Sequence, residues 1–151
     1  MPETDEFWME RAIAAASAAG SLGEVPVGAC IVDADGRLLA EAGNRTITDL
    51  DPTAHAEVLA LRLAAKAVGN YRLTGVTVYS TIEPCVMCAG ALVNARAGRL
   101  VFGAHDLRFG GVETQFQLCT SDVLNHRLEV TAGVLADRCR QIMQEFFKER
   151  R

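Results

Sequence analysis

Two short motifs constrain this chain more than anything else in it: His55-Ala56-Glu57 and Pro84-Cys85-Val86-Met87-Cys88. Each stands at the start of a predicted helix, directly after a turn or a strand. Cys85 and Cys88 are three apart, so their sulfurs lie on one helical face and can grip one ion. If the two helices pack side by side on a sheet, their starts come together and His55 supplies a third ligand. A chain that does this needs both helices laid on a common sheet, which is the architecture of an α/β domain.

The rest of the chain reads accordingly. Thr4, followed by Asp5 and Glu6 against the positive end of a dipole, starts a helix that runs through an Ala-rich stretch to Gly20. Residues 27–33 and 37–44 form a hairpin turning at Asp35-Gly36. The Asp51-Pro52-Thr53 stop leads into a helix over 54–68, closed by Gly69. Residues 76–81 alternate as a strand, and 84–95 form a helix with proline at its start. Short strands follow at 100–103 and 128–131, separated by a loop with a short helix around Phe116 and Leu118. Leu135, Cys139, Ile142, Met143, Phe146 and Phe147 then repeat at helical spacing. The expected fold is one α/β domain spanning residues 1–151, with a mixed sheet flanked by helices.

Composition supports a packed domain and is neutral about partners. Half of the residues are apolar and 23% are charged, which excludes a disordered chain. The net charge of −4 is carried entirely by Glu3, Asp5, Glu6 and Glu10, so the remainder balances. The acidic start lacks the basic-then-apolar order of a secretory signal, and no apolar run approaches a membrane span. A soluble, cytoplasmic protein without a membrane partner is expected. Its 5 cysteines are an odd number, which fits reduced thiols better than disulfides. Cys30, Cys119 and Cys139 are expected in the core.

Three ligands of mixed N and S type suit zinc, with a fourth position for water, the mark of a catalytic site. Zinc lowers the pKa of such a water from about 15.7 to about 7, and another group must then move the proton. Glu57, two residues from a ligand, is the candidate carrier. Residues two apart do not share a face of a regular helix. The first turn must therefore aim His55 at the metal and Glu57 across the pocket. With this composition, one His-x-Glu arises by chance about 0.2 times and one Pro-Cys-x-x-Cys about 0.004 times. A structural ion is the alternative, and would take its fourth ligand from Cys119 or Cys139.

The pair of motifs matches the signature of zinc-dependent nucleobase deaminases. The match extends through Glu24-Val25-Pro26-Val27-Gly28-Ala29, Asp51-Pro52-Thr53-Ala54-His55-Ala56-Glu57, Asn70-Tyr71-Arg72-Leu73 and Glu83-Pro84-Cys85-Val86-Met87-Cys88-Ala89-Gly90-Ala91. With Val101-Phe102-Gly103-Ala104, Leu124-Asn125-His126-Arg127 and the final Phe146-Phe147-Lys148-Glu149-Arg150-Arg151, nearly the whole chain resembles the bacterial tRNA adenosine deaminase family. The resemblance implies a cytidine-deaminase-like, three-layer α/β/α fold with a mixed sheet of about five strands. It also implies hydrolysis of the wobble adenosine of a tRNA anticodon to inosine, by a homodimer carrying one zinc ion per subunit. In that pattern His55, Cys85 and Cys88 hold zinc, and Glu57 shuttles protons to and from the zinc-activated water and the base.

Asn44, Val27, Ala56 and Pro84 are the implied substrate-binding positions. Asn44 matches a base-contacting asparagine, and the Val27 side chain and Ala56 backbone match the pocket lining. Asp106, Arg108, Phe147, Lys148, Arg150 and Arg151 are candidate contacts to the anticodon stem-loop. The last of these lie in a segment from Asp137 onward that carries an excess of positive charge. Between Leu107 and Ser121 the chain departs from the family pattern. There Arg108 to Gln115 stands where small residues and a serine are more frequent. Two other readings of the motifs are deamination of a free base or nucleoside such as guanine, and a non-catalytic zinc module that binds RNA or protein. A free-base enzyme closes its pocket, whereas a tRNA enzyme leaves a groove for splayed-out nucleotides.

Overall fold

The structure is a computed structural model that describes residues 3–150. Thr4 caps α1 (Asp5–Ser21), its Oγ1 accepting from the Phe7 N–H at 3.1 Å. β1 (Gly28–Val32) and β2 (Leu38–Gly43) make the hairpin, and α2 (Ala56–Val68) ends on a left-handed Gly69. β3 (Thr77–Ile82), α3 (Val86–Ala95), β4 (Arg99–Ala104), β5 (Glu129–Ala132) and α4 (Ala136–Glu149) follow. The five strands lie in the order β2-β1-β3-β4-β5. β1 is antiparallel to both its neighbours, and β3, β4 and β5 run parallel.

Strand alternation divides the core between two faces. Ala29 and Ile31 of β1 join Ala60 and Ala64 of α2, Ala89 and Leu92 of α3, and Leu100 and Phe102 of β4. Cys30 and Val32 point the other way, to Trp8, Met9 and Ile13 of α1, Tyr79 and Val101 of the sheet, and Cys139 of α4. The layers are therefore α1 and α4, the mixed sheet, then α2 and α3. This is the three-layer arrangement expected.

The alanines of α1 have a specific partner. Gly28 and Gly43 are cross-strand neighbours. A Cβ on Gly28 would collide with the Ala12 carbonyl, and one on Gly43 would stand 2.7 Å from the Ala15 carbonyl. Small residues on both sides let the helix backbone rest directly on the sheet. The acids of α1 face away from the helices carrying the motifs. Asp5 accepts from Arg99 Nη1 and Nη2 at 2.9 and 2.7 Å and from the Tyr79 hydroxyl at 2.9 Å, while Glu10 pairs with Arg138.

Three expectations are corrected. The two motif helices begin at Ala56 and Val86, two residues later than the residue types suggest. Asp51 Oδ1 accepts from the Thr53 N–H and hydroxyl at 2.8 and 2.7 Å, which folds 51–53 into its own turn. The Pro84 carbonyl accepts from the Gly111 N–H at 2.8 Å, which takes it out of helical bonding. Nor does the short helix around Phe116 and Leu118 form. The N–H groups of Val112, Glu113 and Thr114 point at the Glu83 carboxylate instead of at carbonyls along the chain.

Candidate metal centre and active site

His55 and Cys85 are the N-caps of α2 and α3, both in extended backbone, with φ and ψ of −75° and 151° and of −72° and 178°. Side chains at that position project past the helix end, among the unpaired N–H groups. α2 and α3 lie side by side, so the two caps meet. His55 Nδ1 stands 3.6 Å from Cys85 Sγ and 3.5 Å from Cys88 Sγ. Tetrahedral zinc, with bonds of about 2.3 Å to sulfur and about 2.0 Å to nitrogen, places such ligands about 3.5 Å apart. The donors thus fit zinc in chemistry and in spacing. Among the described residues no fourth metal-type ligand joins them. Cys119 and Cys139 are buried in the cores on opposite faces of the sheet, which removes the source of ligands that a structural ion needed.

Electrostatics in the triad favour thiolate at Cys85 and thiol at Cys88. The Cys88 thiol, and His55 beside it, bring the Cys85 thiol down to about 4. Cys85 in turn pushes Cys88 above the ordinary thiol range and raises His55. Glu57, in the first turn of α2, is only 2% exposed. Burial pushes its carboxyl up to about 7, where it can both take and release a proton at neutral pH. The periodicity problem between His55 and Glu57 is resolved by the extended backbone at His55, which lies outside the helix.

His55, Cys85 and Glu57 open into a cavity of about 790 Å³, and Cys88 is buried outside its lining. Its wall includes Val27, Asn44, His55, Glu57, Cys85, Asp106, Arg108 and Phe147 of the residues singled out from sequence. Ala56 and Pro84 are buried and are not among the residues that line it. The Ala56 N–H donates to Asn44 Oδ1 at 2.8 Å. It therefore fixes the orientation of the asparagine at the cavity wall. Among the described residues of the terminal cluster, only Phe147 lines the cavity, with Met143 a turn before it. Lys148 is exposed away from the wall, and Arg150 folds back with its guanidinium 3.6 Å from the Phe146 ring centroid. Arg151 lies outside the described residues.

Sequence reasoning missed the residues that shape the rim. Glu83 is buried beneath the segment after β4, accepting from the N–H groups of Asp106, Val112, Glu113 and Thr114 at 2.8–3.1 Å and from the Thr114 hydroxyl. Gly110 and Gly111 permit this, since a Cβ on Gly110 would collide with that carboxylate. On the opposite rim, buried Glu24 accepts from the N–H groups of Ile47 and Thr48 at 3.3 and 2.7 Å and from the Thr46 and Thr48 hydroxyls. The place of Glu83, an acid between an apolar strand and a proline-started helix, is visible in the sequence, but its role is not, since its donors lie 23–31 residues downstream. Phe109, Gln115, Phe116 and Thr46 complete the rim and carried no signal.

The fold and the site define a class of zinc-site deaminase. Residues 2–104 match the family described as the cytidine and deoxycytidylate deaminase zinc-binding region. The tRNA-specific adenosine deaminase of Haemophilus influenzae is 48% identical over 149 residues, 99% of this chain and 86% of the relative. The chain belongs to the tRNA-specific adenosine deaminase family. A solved tRNA:A34 deaminase, from work on A-to-I editing at the wobble position, is 41% identical with a TM-score of 0.87, covering 90% of this chain and 98% of that one. A guanine deaminase of Bacillus subtilis, with a TM-score of 0.65 and 40% identity, covers 68% of this chain and 66% of that one.

Proposed function

We propose that this protein hydrolyses the wobble adenosine of tRNA anticodons to inosine, as a cytoplasmic homodimer with one zinc ion per subunit. The observation that carries the reading is the meeting of the His55, Cys85 and Cys88 donors with buried Glu57 at one end of an open cavity. Its 48% identity to a tRNA-specific adenosine deaminase selects the substrate. When bound by this triad, zinc supplies an acidified water as nucleophile.

The remaining work falls to the chain itself. The Asn44 amide and the Val27 side chain orient the base in the cavity. Glu57 accepts a proton and delivers it to the ring nitrogen beside the amino-bearing carbon, then assists departure of ammonia. The apolar walls of Val25, Ile82 and Met143 exclude competing water from the base.

Deamination of a free base is the rival, favoured by the guanine deaminase relative. Purified protein is incubated in parallel with an anticodon stem-loop RNA, guanine, adenosine and cytidine, and ammonia and inosine are followed. Inosine from the stem-loop is expected. Turnover of guanine with none of the stem-loop would overturn the assignment.

A further inference from the structure

We propose that Phe109 and Phe116 form an aromatic clamp at the cavity mouth that stacks the unpaired bases flanking the target adenosine. The inference rests on the tRNA reading above and names the part of the RNA that this rim receives. Both side chains line the cavity, yet they are 61% and 53% exposed. Two large exposed rings at the rim of one cavity offer π-faces to whatever enters it.

The loop that carries them is fixed. The Gly110 carbonyl accepts from the Gln115 and Phe116 N–H groups at 3.0 and 3.3 Å, and Gln115 Nε2 donates to the Leu107 carbonyl at 2.8 Å. The segment therefore closes on itself, bringing the backbone of Phe116 onto the residue after Phe109. Asp106 Oδ1 accepts from the Arg108 and Phe109 N–H groups at 3.1 Å each, and Glu83 anchors the stretch between the rings from below. The rings are exposed because a built loop presents them, not because the loop is slack.

The chemistry selects single-stranded nucleic acid as the occupant. Arg108 holds its guanidinium 5.3 Å from the Phe109 ring centroid, so a cation and a π-face are presented together. That pairing suits a base on the ring and its phosphate on the cation. The surface is also continuous with the cavity that receives the target base. An anticodon loop with its target base drawn out necessarily brings the neighbouring bases to this mouth.

The test uses the zinc-loaded protein and a hairpin RNA with 2-aminopurine, whose fluorescence falls on stacking, placed on either side of the target adenosine. Wild type is expected to quench at least one position on binding. F109A and F116A should relieve that quench and raise KM about tenfold, with a far smaller effect on kcat. F109Y should restore both readings. Melting and zinc content of each variant identify any that misfold, and F109Y keeps the ring in a folded background. Unchanged quench and KM in both alanine variants would overturn the clamp. So would a shift from dimer to monomer with the quench intact, since the rings would then cover a second copy. The quench reads binding rather than turnover. A hairpin bound and quenched without inosine formation would refute the proposed function and leave the clamp standing.

Discussion

Three buried glutamates in this protein behave in opposite ways, and their surroundings explain why. For Glu57, burial dominates and the carboxyl rises to about 7. For Glu24 and Glu83, burial pushes upward as well, but the hydrogen bonds from Thr48 and Thr114 and from neighbouring backbone N–H groups outweigh it. Both are held below the ordinary carboxylate range. Glu57→Gln is therefore expected to lower turnover by about 10²–10⁴-fold, while metal analysis still finds one zinc per chain. Loss of zinc in that variant would make Glu57 a ligand and refute its role. Glu83 carries a pH prediction. Its folded pKa lies below its unfolded one, so its contribution to stability is present above the unfolded value of 4.5 and is lost as pH falls toward the folded one. Glu83→Gln should cost roughly 2–3 kcal/mol at pH 7, and its urea midpoint should converge on that of wild type in acid. Glu57 was legible because a ligand stands two residues away. The role of Glu83 was not, because its donors come from residues 106–114, across β4, and become visible only once that loop is folded.

Helices and strands were legible wherever their own periodicity decided them, as in α1, α2, β3 and α4. Their ends were less so. The starts of α2 and α3 are set by side chains and carbonyls that bond elsewhere, at Asp51 and Pro84, and those competing bonds leave no periodic trace. That displacement by two residues is also what makes the metal triad possible, since it frees His55 and Cys85 from helical geometry. The Ala-rich run of α1 announced a helix without announcing what it rests on. Gly28 and Gly43 answer that from another element. Gly28→Ala should force α1 off the sheet and destabilise the protein by about 1–3 kcal/mol or more, read as a lower urea midpoint with m unchanged. The same change at Gly36, a turn glycine at φ +83° with open space around its Cβ, acts through backbone strain alone.

At the scale of the whole molecule, charge is partitioned rather than summed. The acids of α1 sit on the face away from the cavity, and two of them are already paired with Arg99 and Arg138. The excess of positive charge after Asp137 makes that end the candidate for phosphate contact in the tRNA reading. Removing residues 148–151 should weaken stem-loop binding and flatten its dependence on salt, by about 0.7 in log–log slope for each phosphate no longer neutralised. An unchanged slope in a titration from low to high salt would assign those bases to solvent. The partition was only half visible in the sequence, which located the acids but could not say which face they would occupy. The position of the metal ligands has a consequence on this scale as well. His55 closes the connection from β2 to α2, whereas Cys85 closes that from β3 to α3 and Cys88 stands in the first turn of α3. An ion shared among them would crosslink two separate excursions of the chain, and its binding energy would add to folding by mass action. With zinc as that ion, its availability would govern how long the folded protein lasts as well as how fast it works.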